Sequence, residues 1–267
     1  MDILKKKFDT IRLELSGKVL TLVLHRPEVR NAFNDIMIFE ISDFFRTVNH
    51  NHDHLRIIVI TGESSSFCAG ADLNWMKSMV DFTYEKNLAD SKRLAEMFKL
   101  IDSCPLPVIA RVNGSAVGGG VGLVAISDIA VAAESATFGL SEVKLGLAPA
   151  VISPYLVRRL GERYSRQYFL TGERISAARA GEIGLVNEVA PDHLLGKASD
   201  KYIEQLLTAG PNAIAICKEL LAKGRHMNEP QLSEYMADVI ARLRIGQEAQ
   251  EGMKAFLEKR LPRWSAD

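Results

Sequence analysis

The sequence predicts an α/β fold in which the last third of the chain is helical. Over the first two thirds, short apolar runs of strand length alternate with segments whose apolar residues recur at helical spacing. Glycine, proline and serine separate many of these runs. Beyond about Pro191 the strand-like runs stop, and only the helical spacing remains. We therefore expect a core of strands and helices followed by a helical segment.

A strand pair and a helix come first. Residues 11–15 and Val19–Leu24 are predicted to be paired strands, joined by a turn at Ser16-Gly17. The apolar residues that follow Asn34 recur at i, i+4, i+7, i+8 and i+11, which places them on one face of a helix. They are Met37, Ile41, Phe44, Phe45 and Val48.

Further strands and helices alternate after this helix. Residues 57–60 form a continuous apolar run, which is typical of a strand buried on both faces. A helical segment then ends before Pro105, and Val108–Val112 is the next predicted buried strand. Residues 123–127 are helix-like and residues 129–132 are strand-like. The order strand, strand, helix recurs, although no repeat of fixed sequence is visible.

The last third of the chain predicts a helical subdomain with wide apolar faces. Pro211 and Pro230 lie near the starts of two predicted helices, and residues 251–257 form a further helical segment. We place the domain boundary so that residues 1–195 form the core and residues 196–267 the helical subdomain. The apolar faces predict packing on the core or on another subunit.

Composition and charge exclude several classes of protein. Of the 267 residues, 47% are hydrophobic and 25% are charged, which is ordinary for a globular chain and excludes wholesale disorder. The 33 Lys and Arg residues balance the 33 Asp and Glu residues. This balance argues against nucleic acid or an anionic membrane as the main partner. No apolar run approaches the roughly 20 residues that a membrane helix needs.

The cysteines and the N-terminal residues indicate the compartment. Cys68, Cys104 and Cys217 are odd in number and scattered, which suggests neither a disulfide framework nor a zinc site. The first residues contain no signal-peptide hydrophobic region. We therefore expect a soluble cytoplasmic protein of a reducing compartment that holds no metal.

The most glycine-dense segment runs from Gly114 to Gly122. Within it, residues 120–125 match the G-x-G-x-x-A form of the dinucleotide fingerprint, which should directly follow its strand. Seven residues separate Val112 from Gly120, so we reject a nicotinamide cofactor. The glycines either allow close helix packing or free backbone N–H groups at a helix N-terminus to face an anion.

A second segment of small residues is Phe67-Cys-Ala-Gly-Ala-Asp72, which follows the predicted strand at residues 57–61 and a serine-rich loop. Alone, such a segment is most often a tight connection from a strand to a helix. Two such segments in one chain favour an oxyanion hole, because that kind of site needs N–H donors that converge from different loops.

Four segments together resemble the signature blocks of the enoyl-CoA hydratase/isomerase (crotonase) family. They are His25-Arg-Pro-Glu-Val-Arg-Asn-Ala-Phe-Asn34, Phe67-Cys-Ala-Gly-Ala-Asp72, Val112-Asn-Gly-Ser-Ala-Val-Gly-Gly-Gly120 and Phe138-Gly-Leu-Ser-Glu-Val-Lys-Leu-Gly146. They occur in the family's order and spacing, and the resemblance covers essentially the whole chain. In detail the chain most resembles the bacterial branch that is similar to methylglutaconyl-CoA hydratases.

This resemblance implies a fold, an assembly and a reaction. The fold is the crotonase fold, a spiral of ββα turns with C-terminal helices that drive trimerisation, so we expect a homotrimer or a hexamer made of two trimers. The substrate is an acyl-CoA thioester, and water is added or removed across its 2,3 double bond without a metal or redox cofactor. Coenzyme A is part of the substrate and is expected along residues 24–31 and 69–74.

The resemblance also assigns functional positions. The family's two oxyanion N–H donors fall on Ala71 and Gly119, and the second of its two glutamates falls on Glu142. The first glutamate falls on Gly122, which has no acid–base group, so Glu142 is expected to be the single acid/base. The expected substrate-binding residues are Arg26, Ala69, Gly70, Ala71, Asp72, Leu73, Asn74, Gly118, Gly119 and Gly122. We also expect Asp72 to form hydrogen bonds within its loop and Cys68 to be a small buried packing residue.

Two alternative functions stay open. A Δ3,Δ2-enoyl-CoA isomerase needs only one glutamate to move a proton between C2 and C4, and family isomerases commonly have one. An RNA-binding activity is associated with one eukaryotic relative of this branch. It would need a basic stripe, and the chain offers only short ones at residues 5–7 and at Arg158-Arg159.

The glycine at position 122 leads to a hypothesis about the substrate. Without a side chain there, we expect the pocket to be larger and less negative than in two-glutamate relatives. A substrate with its own carboxylate would then avoid repulsion by a second glutamate in a dry site. The hypothesis is a branched or carboxylated enoyl-CoA, with 3-methylglutaconyl-CoA as the leading candidate.

Overall fold

The computed structural model describes residues 2–52 and 54–265. The chain divides into two compact units. The first contains the residues up to Cys104 together with Val108–Asp200, and the second contains Pro105–Pro107 together with the chain from Lys201 onward. The domain boundary after residue 195 stays a prediction.

The described residues form the following strands and helices, each numbered in chain order. The strands are β1 (Ile11–Ser16), β2 (Val19–Leu24), β3 (Ile57–Gly62), β4 (Ser66–Cys68), β5 (Val108–Val112), β6 (Ser115–Val117), β7 (Ile129–Ala133), β8 (Thr137–Gly139), β9 (Arg174–Ser176) and β10 (Glu188–Ala190). The helices are α1 (Asp35–His50), α2 (Leu73–Met79), α3 (Tyr84–Asp102), α4 (Gly119–Ile126), α5 (Ser153–Thr171), α6 (Ala177–Glu182), α7 (Leu195–Thr208), α8 (Pro211–Lys223), α9 (Glu229–Ile245) and α10 (Gln247–Leu257). The predicted α/β fold is confirmed.

Six strands form the larger sheet, in the order β1-β2-β3-β5-β7-β10. Strands β1 and β2 are an antiparallel hairpin whose turn contains Gly17 at φ 57°, and the remaining neighbours pair in parallel. Apolar runs of strand length predict β2, β3, β5 and β7 because parallel strands covered on both faces need apolar residues on both sides. In β3, Ile57 to Ile60 are all buried.

Four strands of three residues each form the second sheet, in the order β4-β6-β8-β9. Strands β4, β6 and β8 are parallel, and β9 is antiparallel to β8. Sequence analysis does not predict these strands, because three residues are too few to show a period of two. Long strands β3, β5 and β7 are each followed by one of these short parallel strands and then by helix, which is the predicted ββα order.

Helix α1 supplies much of the core of the first unit and packs against α3. Its N-terminus is capped by Asn34, whose side chain accepts a hydrogen bond from the Met37 N–H at 2.9 Å. All of the apolar residues predicted to share one helical face are buried, namely Met37, Ile41, Phe44, Phe45 and Val48. Burial of this face therefore fixes α1 in the core, and with it the end of the loop that precedes the helix.

The second unit contains α8, α9 and α10, and the predicted proline signals lie at the starts of α8 and α9. Pro211 opens α8, and Glu248 accepts hydrogen bonds from the Asn212 and Ala213 N–H groups at 2.9 Å. Several large apolar side chains of this unit are exposed, namely Leu221, Ile245, Phe256, Leu257 and Leu261. Among the helices of residues 2–52 and 54–265, none has the length and apolar character needed to cross a membrane.

Candidate active site

Three loops of the predicted site begin at the same edge of the second sheet. Strands β4, β6 and β8 are parallel neighbours, with Cys68 opposite Ala116 and Val117 opposite Gly139. The segment from Ala69 follows β4, the segment from Gly118 follows β6, and Glu142 follows β8. Because the carboxyl ends of parallel strands meet at one edge, the topology brings these three segments together.

The loop that precedes α1 pairs with the segment that contains Ala71. Ala69 donates its N–H to the Arg30 carbonyl at 3.0 Å, Phe33 donates to the Gly70 carbonyl at 2.7 Å, and Asp72 donates to the Phe33 carbonyl at 2.8 Å. Phe33 and Ala71 are thereby partners in a parallel β-bridge. The Ala71 segment is held along its length by backbone hydrogen bonds and not by side chains alone.

The Ala71 N–H is aimed by the peptide group to which it belongs. In a trans peptide, the N–H of one residue points away from the carbonyl oxygen of the residue before it. Phe33 holds the Gly70 carbonyl on one side, so the Ala71 N–H faces the other. Gly70 has φ 87°, and a Cβ built there would lie 3.0 Å from the Val117 carbonyl oxygen, so this peptide lies directly against the end of β6.

The Gly119 N–H is aimed in the same way at the start of α4. The Gly118 carbonyl accepts the Gly122 N–H at 3.1 Å inside the helix, so the Gly119 N–H points outward from the helix N-terminus. Gly118 has φ 51°, a conformation that favours glycine. In the described part of the chain, no protein atom accepts a hydrogen bond from the Gly119 or Ala71 N–H group. Both donors are therefore available to a ligand.

The Glu142 carboxyl group lies beside this glycine turn. A Cβ built at Gly118 would be 2.9 Å from Glu142 Oε1, so Gly118 must lack a side chain for the carboxyl group to sit here. Glu142 belongs to a short 3-10 helix, Ser141–Leu145. Its Oε2 atom is buried and has no hydrogen-bond partner among residues 2–52 and 54–265. Burial raises the pKa of Glu142 above the ordinary glutamate value, as expected for a carboxyl group poised for proton transfer.

The expectation of extra room at Gly122 is wrong. A Cβ built there would overlap the Cγ2 methyl of Ile152 and lie 2.9 Å from Cε1 and Cζ of the Phe98 ring. Both of these side chains are buried, so apolar groups already fill the space that a side chain at position 122 would take. The expectation that the pocket is less negative here is unaffected, because Gly122, Ile152 and Phe98 carry no carboxylate.

Arg26 and Asp72 form an ion pair next to the Ala71 segment. Arg26 Nη2 lies 2.8 Å from Asp72 Oδ2, and Arg26 Nη1 donates to the Ala32 carbonyl at 2.7 Å. Asp72 also caps α2 by accepting the Asn74 and Trp75 N–H groups. Burial favours a higher pKa for Asp72, but these hydrogen bonds and the Arg26 charge outweigh it and lower the pKa. Asp72 thus makes the loop hydrogen bonds expected of it.

The other predicted substrate-binding residues differ in exposure. Ala71, Leu73 and Asn74 are exposed, and Ala69 and Gly119 are half-buried. Gly70, Gly118 and Gly122 are buried, and neighbouring groups approach each of them closely. The Cys68 side chain is fully buried, and burial raises the pKa of its thiol to about 12. A thiol that stays protonated is a packing group, as expected, and not a nucleophile.

Two residues that hold the loops together were missed by sequence reasoning. Phe33 pairs with the Ala71 segment through its backbone. Asn31 is fully buried and donates from its side chain to the carbonyls of Glu63 and Ser66 at 2.9 and 2.7 Å. Its side-chain oxygen accepts the Arg26 N–H at 3.0 Å. An asparagine and a phenylalanine in a loop of the first signature block were the available signals, but neither reveals its partners in the sequence.

Comparison with known proteins shows similarity over nearly the whole chain. A model of the family described as "Enoyl-CoA hydratase/isomerase" matches residues 14–267. The crystal structure of an enoyl-CoA hydratase from Shewanella pealeana superposes with a TM-score of 0.93 at 39% identity and covers 98% of each chain. The crotonyl-CoA hydratase of Syntrophomonas wolfei is 34% identical and covers 95% of this chain and 96% of the relative.

A second relative is named for a different acyl group. The 2,3-dehydroadipyl-CoA hydratase of Escherichia coli K12 is 32% identical, over 92% of this chain and 94% of the relative. The matches span nearly the whole chain, and the family model's residues 14–267 include the loops that carry Ala71, Gly119 and Glu142. The arrangement of two free backbone donors beside a buried carboxyl group, on a fold shared almost end to end, places this chain in the enoyl-CoA hydratase/isomerase family.

Proposed function

We propose that this enzyme adds water across the 2,3 double bond of an enoyl-CoA, with Ala71 and Gly119 as the oxyanion hole and Glu142 as the single acid/base. One observation carries the proposal. The two unengaged N–H groups and the buried Oε2 atom of Glu142 belong to loops that leave adjacent parallel strands at one edge of a sheet. Relatives named as hydratases support the same reaction class.

The oxyanion hole would act on the thioester carbonyl. As water adds to C3, electron density moves to the carbonyl oxygen and an enolate forms. Hydrogen bonds from the Ala71 and Gly119 N–H groups stabilise this charge more than they stabilise the neutral carbonyl, which lowers the barrier. The N-terminus of α4 adds favourable dipole charge at Gly119. Coenzyme A would lie along residues 24–31 and 69–74.

Glu142 would move the protons. Its carboxylate accepts one proton from water as the water oxygen bonds to C3, and the resulting acid gives a proton to C2 of the enolate. Both additions come from one group, so they occur on the same face of the double bond. The sum is one water added and the glutamate restored. Substrate and water supply every atom of the product, and the addition involves no net oxidation or reduction. The proposed reaction therefore uses neither a metal nor a redox cofactor.

The acyl group we propose is carboxylated, with 3-methylglutaconyl-CoA as the leading candidate; a preference for branching rested on room at Gly122 and is not proposed. The support is electrostatic: the wall at Gly122 consists of Ile152 and Phe98, so a substrate carboxylate would face only one glutamate. Like charges at close range in a dry site cost several kcal/mol. A relative named for 2,3-dehydroadipyl-CoA, whose acyl group is dicarboxylic, is consistent with this class. Added room is not part of the argument.

A Δ3,Δ2-enoyl-CoA isomerase is the second candidate, because one carboxyl group beside an oxyanion hole also suffices to move a proton between C2 and C4. Turnover of three thioesters separates the possibilities: crotonyl-CoA, 3-methylglutaconyl-CoA and a 3-enoyl-CoA. The proposal predicts hydration of both 2-enoyl substrates, with the higher kcat/KM for 3-methylglutaconyl-CoA. Preference for the 3-enoyl-CoA would establish the isomerase, and preference for crotonyl-CoA would remove the carboxylated substrate.

A further inference from the structure

Phe33 touches both segments that carry the oxyanion donors. Through its backbone it donates to the Gly70 carbonyl at 2.7 Å and accepts the Asp72 N–H at 2.8 Å, one residue on each side of Ala71. Its side chain reaches the other segment: a Cβ built at Gly119 would lie 2.9 Å from Cε2 and 3.1 Å from Cδ2 of the Phe33 ring. The residue is 2% exposed, so the ring fills the space between the two loops.

We propose that Phe33 is a positioning residue that sets the separation of the two oxyanion donors. The inference rests on the proposed function, because it assumes that the Ala71 and Gly119 N–H groups hold one oxygen atom. Phe33 does not itself contact that atom. It acts by holding the Gly70–Ala71 peptide through its backbone and the Gly119 backbone through its ring.

The anchoring of Phe33 makes this role physically reasonable. The next residue, Asn34, caps α1, and α1 is fixed by a wholly buried apolar face. On the other side, Asn31 is tied by its side chain to the carbonyls of Glu63 and Ser66. The ring is therefore attached to a well-anchored part of the first unit. Because the ring contacts Gly119 directly, it fixes the position of Gly119 relative to that part.

The contact also explains why position 119 holds glycine. Any Cβ there would meet the aromatic ring closer than real Cβ atoms approach such groups, so either the ring or the start of α4 would have to move. An oxyanion donor is effective only within about 2.7–3.1 Å of the oxygen that develops charge. A displacement of about 1 Å can cost roughly 100-fold in rate.

The first test compares Phe33→Leu and Phe33→Ala with Phe44→Leu and Phe44→Ala. Phe44 is a fully buried phenylalanine of α1, so its variants control for a lost ring in the core. We expect Phe33→Ala to lower kcat by about 10- to 100-fold with little change in KM, and Phe33→Leu to lower it less. The Phe44 variants should lose thermal stability and keep kcat. Equal kcat for the Phe33 and Phe44 pairs would overturn the inference.

The second test is a double-mutant cycle between Phe33 and Gly119. Gly119→Ala alone should lower kcat because its methyl displaces the ring or the helix start. In Phe33→Ala/Gly119→Ala the methyl has room, so the loss should be clearly smaller than the product of the two single losses. Losses that simply multiply would mean that the ring and Gly119 do not act through each other, which contradicts the inference.

A spectroscopic readout separates this inference from the proposed function. Acetoacetyl-CoA has an acidic C2 whose enolate absorbs in the near ultraviolet, so binding in an oxyanion hole should raise that absorbance. The band should be present in the wild type and in Phe44→Leu, and weaker in the Phe33 variants and in Gly119→Ala. Loss in Gly119→Ala but not in the Phe33 variants overturns only the role of Phe33. An unchanged band and full turnover in Ala71→Pro, which removes the Ala71 N–H donor outright, overturn the oxyanion hole itself.

Discussion

Glu142 combines two properties that an ordinary surface glutamate lacks. Its Oε2 atom is buried without a hydrogen-bond partner in the part of the chain that the structure describes, and burial raises the pKa of the carboxyl group. An unsatisfied buried oxygen is costly in a folded protein, so such atoms tend to be kept where a ligand or a water will use them. The glycine at 118 and the short 3-10 helix that follows β8 place this carboxyl group beside the turn that leads to the Gly119 N–H.

Glu142→Gln should lower kcat by about 10²–10⁴ with little change in substrate binding, because the amide keeps the size of the side chain but cannot transfer the proton. Initial rates with a 2-enoyl-CoA measure the effect. Glu134→Gln, at an exposed glutamate of the turn before β8, is the matched control and should retain full activity. Near-normal turnover in Glu142→Gln would assign the chemistry to another group.

The raised pKa of Glu142 also predicts a pH dependence of stability. A carboxyl group whose pKa is higher in the folded protein than in the unfolded chain costs no stability while protonated, and destabilises the fold as pH rises above the unfolded value of about 4.3. Replacement by Gln removes this penalty. The advantage of Glu142→Gln in unfolding free energy should therefore grow between about pH 4 and neutral pH, as measured by urea denaturation.

Activity should depend on pH in the opposite direction to stability, because the proposed base must be ionised and therefore works better as pH rises. The acid limb of the kcat/KM profile should fall at a higher pH than an ordinary glutamate would give. For stability, a difference in unfolding free energy between Glu142→Gln and the wild type that stays constant with pH, as it should for Glu134→Gln, would contradict the burial of the Glu142 carboxyl group.

Helix α2 depends on the ion pair at its first turn. Asp72 is 3% exposed and accepts two N–H groups of the helix as well as the Arg26 guanidinium. Arg26→Met should lower the unfolding free energy by about 3 kcal/mol, because it leaves a buried carboxylate without its cation. Since the pKa of Asp72 is lowered in the fold, this deficit should shrink as pH falls and the carboxylate becomes protonated.

The control for this prediction is Arg12→Met. Arg12 lies 2.8 Å from Glu63 in an ion pair whose side chains are 45% and 30% exposed, so its loss should cost less than about 1 kcal/mol. Asp72→Asn combined with Arg26→Met should recover part of the loss, because the unpaired charge is then absent. Similar small costs for Arg26→Met and Arg12→Met at neutral pH would show that the Asp72 carboxylate is not held by Arg26.

Helix α4 is packed too closely at Gly122 to accept a side chain. Gly122→Ala should destabilise by about 1–3 kcal/mol through overpacking against Ile152 and Phe98, even though alanine favours helix. Ile152→Ala in the same chain should reduce that cost. Gly196→Ala in α7, where a Cβ would meet nothing within 4 Å, should be neutral or stabilising. A Gly122→Ala variant as stable as the wild type would show that the wall is open.

The elements that sequence reasoning predicts are those with a long enough pattern. Helix α1 shows five apolar residues on one face, and β3 and β7 are nearly continuous apolar runs. Strands β4, β6 and β8 have three residues each and leave no pattern, yet they determine that Ala71, Gly119 and Glu142 share one edge. The segments could be recognised by resemblance, whereas their convergence comes from the pairing register.

The wrong expectation at Gly122 and the missed contact of Phe33 both arise from packing between segments that are distant in the sequence. The wall at Gly122 comes from Phe98, Ile152 and the glycine itself, which are up to 54 positions apart in the sequence, so a missing side chain was mistaken for free space. The contact of Phe33 with Gly119 is likewise invisible without the fold. Packing against distant segments cannot be read from local composition, while loop identity and apolar spacing can.

At the scale of the whole molecule, we propose that the chain assembles as a homotrimer or a hexamer. Exposed apolar side chains of the second unit, such as Phe256 and Leu257 at 83% and 80% exposure, are the surface that an assembly would cover. Light scattering should give three or six times the mass of one 29.5 kDa chain. Phe256→Lys/Leu257→Lys should shift the mass towards the single chain, whereas Lys197→Glu should not. A monomeric wild type would contradict the assembly.

The central claim, that Glu142 directs water to C3 of an enoyl thioester held by two backbone donors, is tested most directly by following the oxygen. Wild-type enzyme and Glu142→Gln are incubated with a 2-enoyl-CoA in water labelled with oxygen-18, and the products are identified by mass spectrometry. The wild type should give the 3-hydroxyacyl-CoA with the label at C3, and the variant should form it at least about 100-fold more slowly. Product without the label, or the same rate of label uptake in both proteins, would contradict the account.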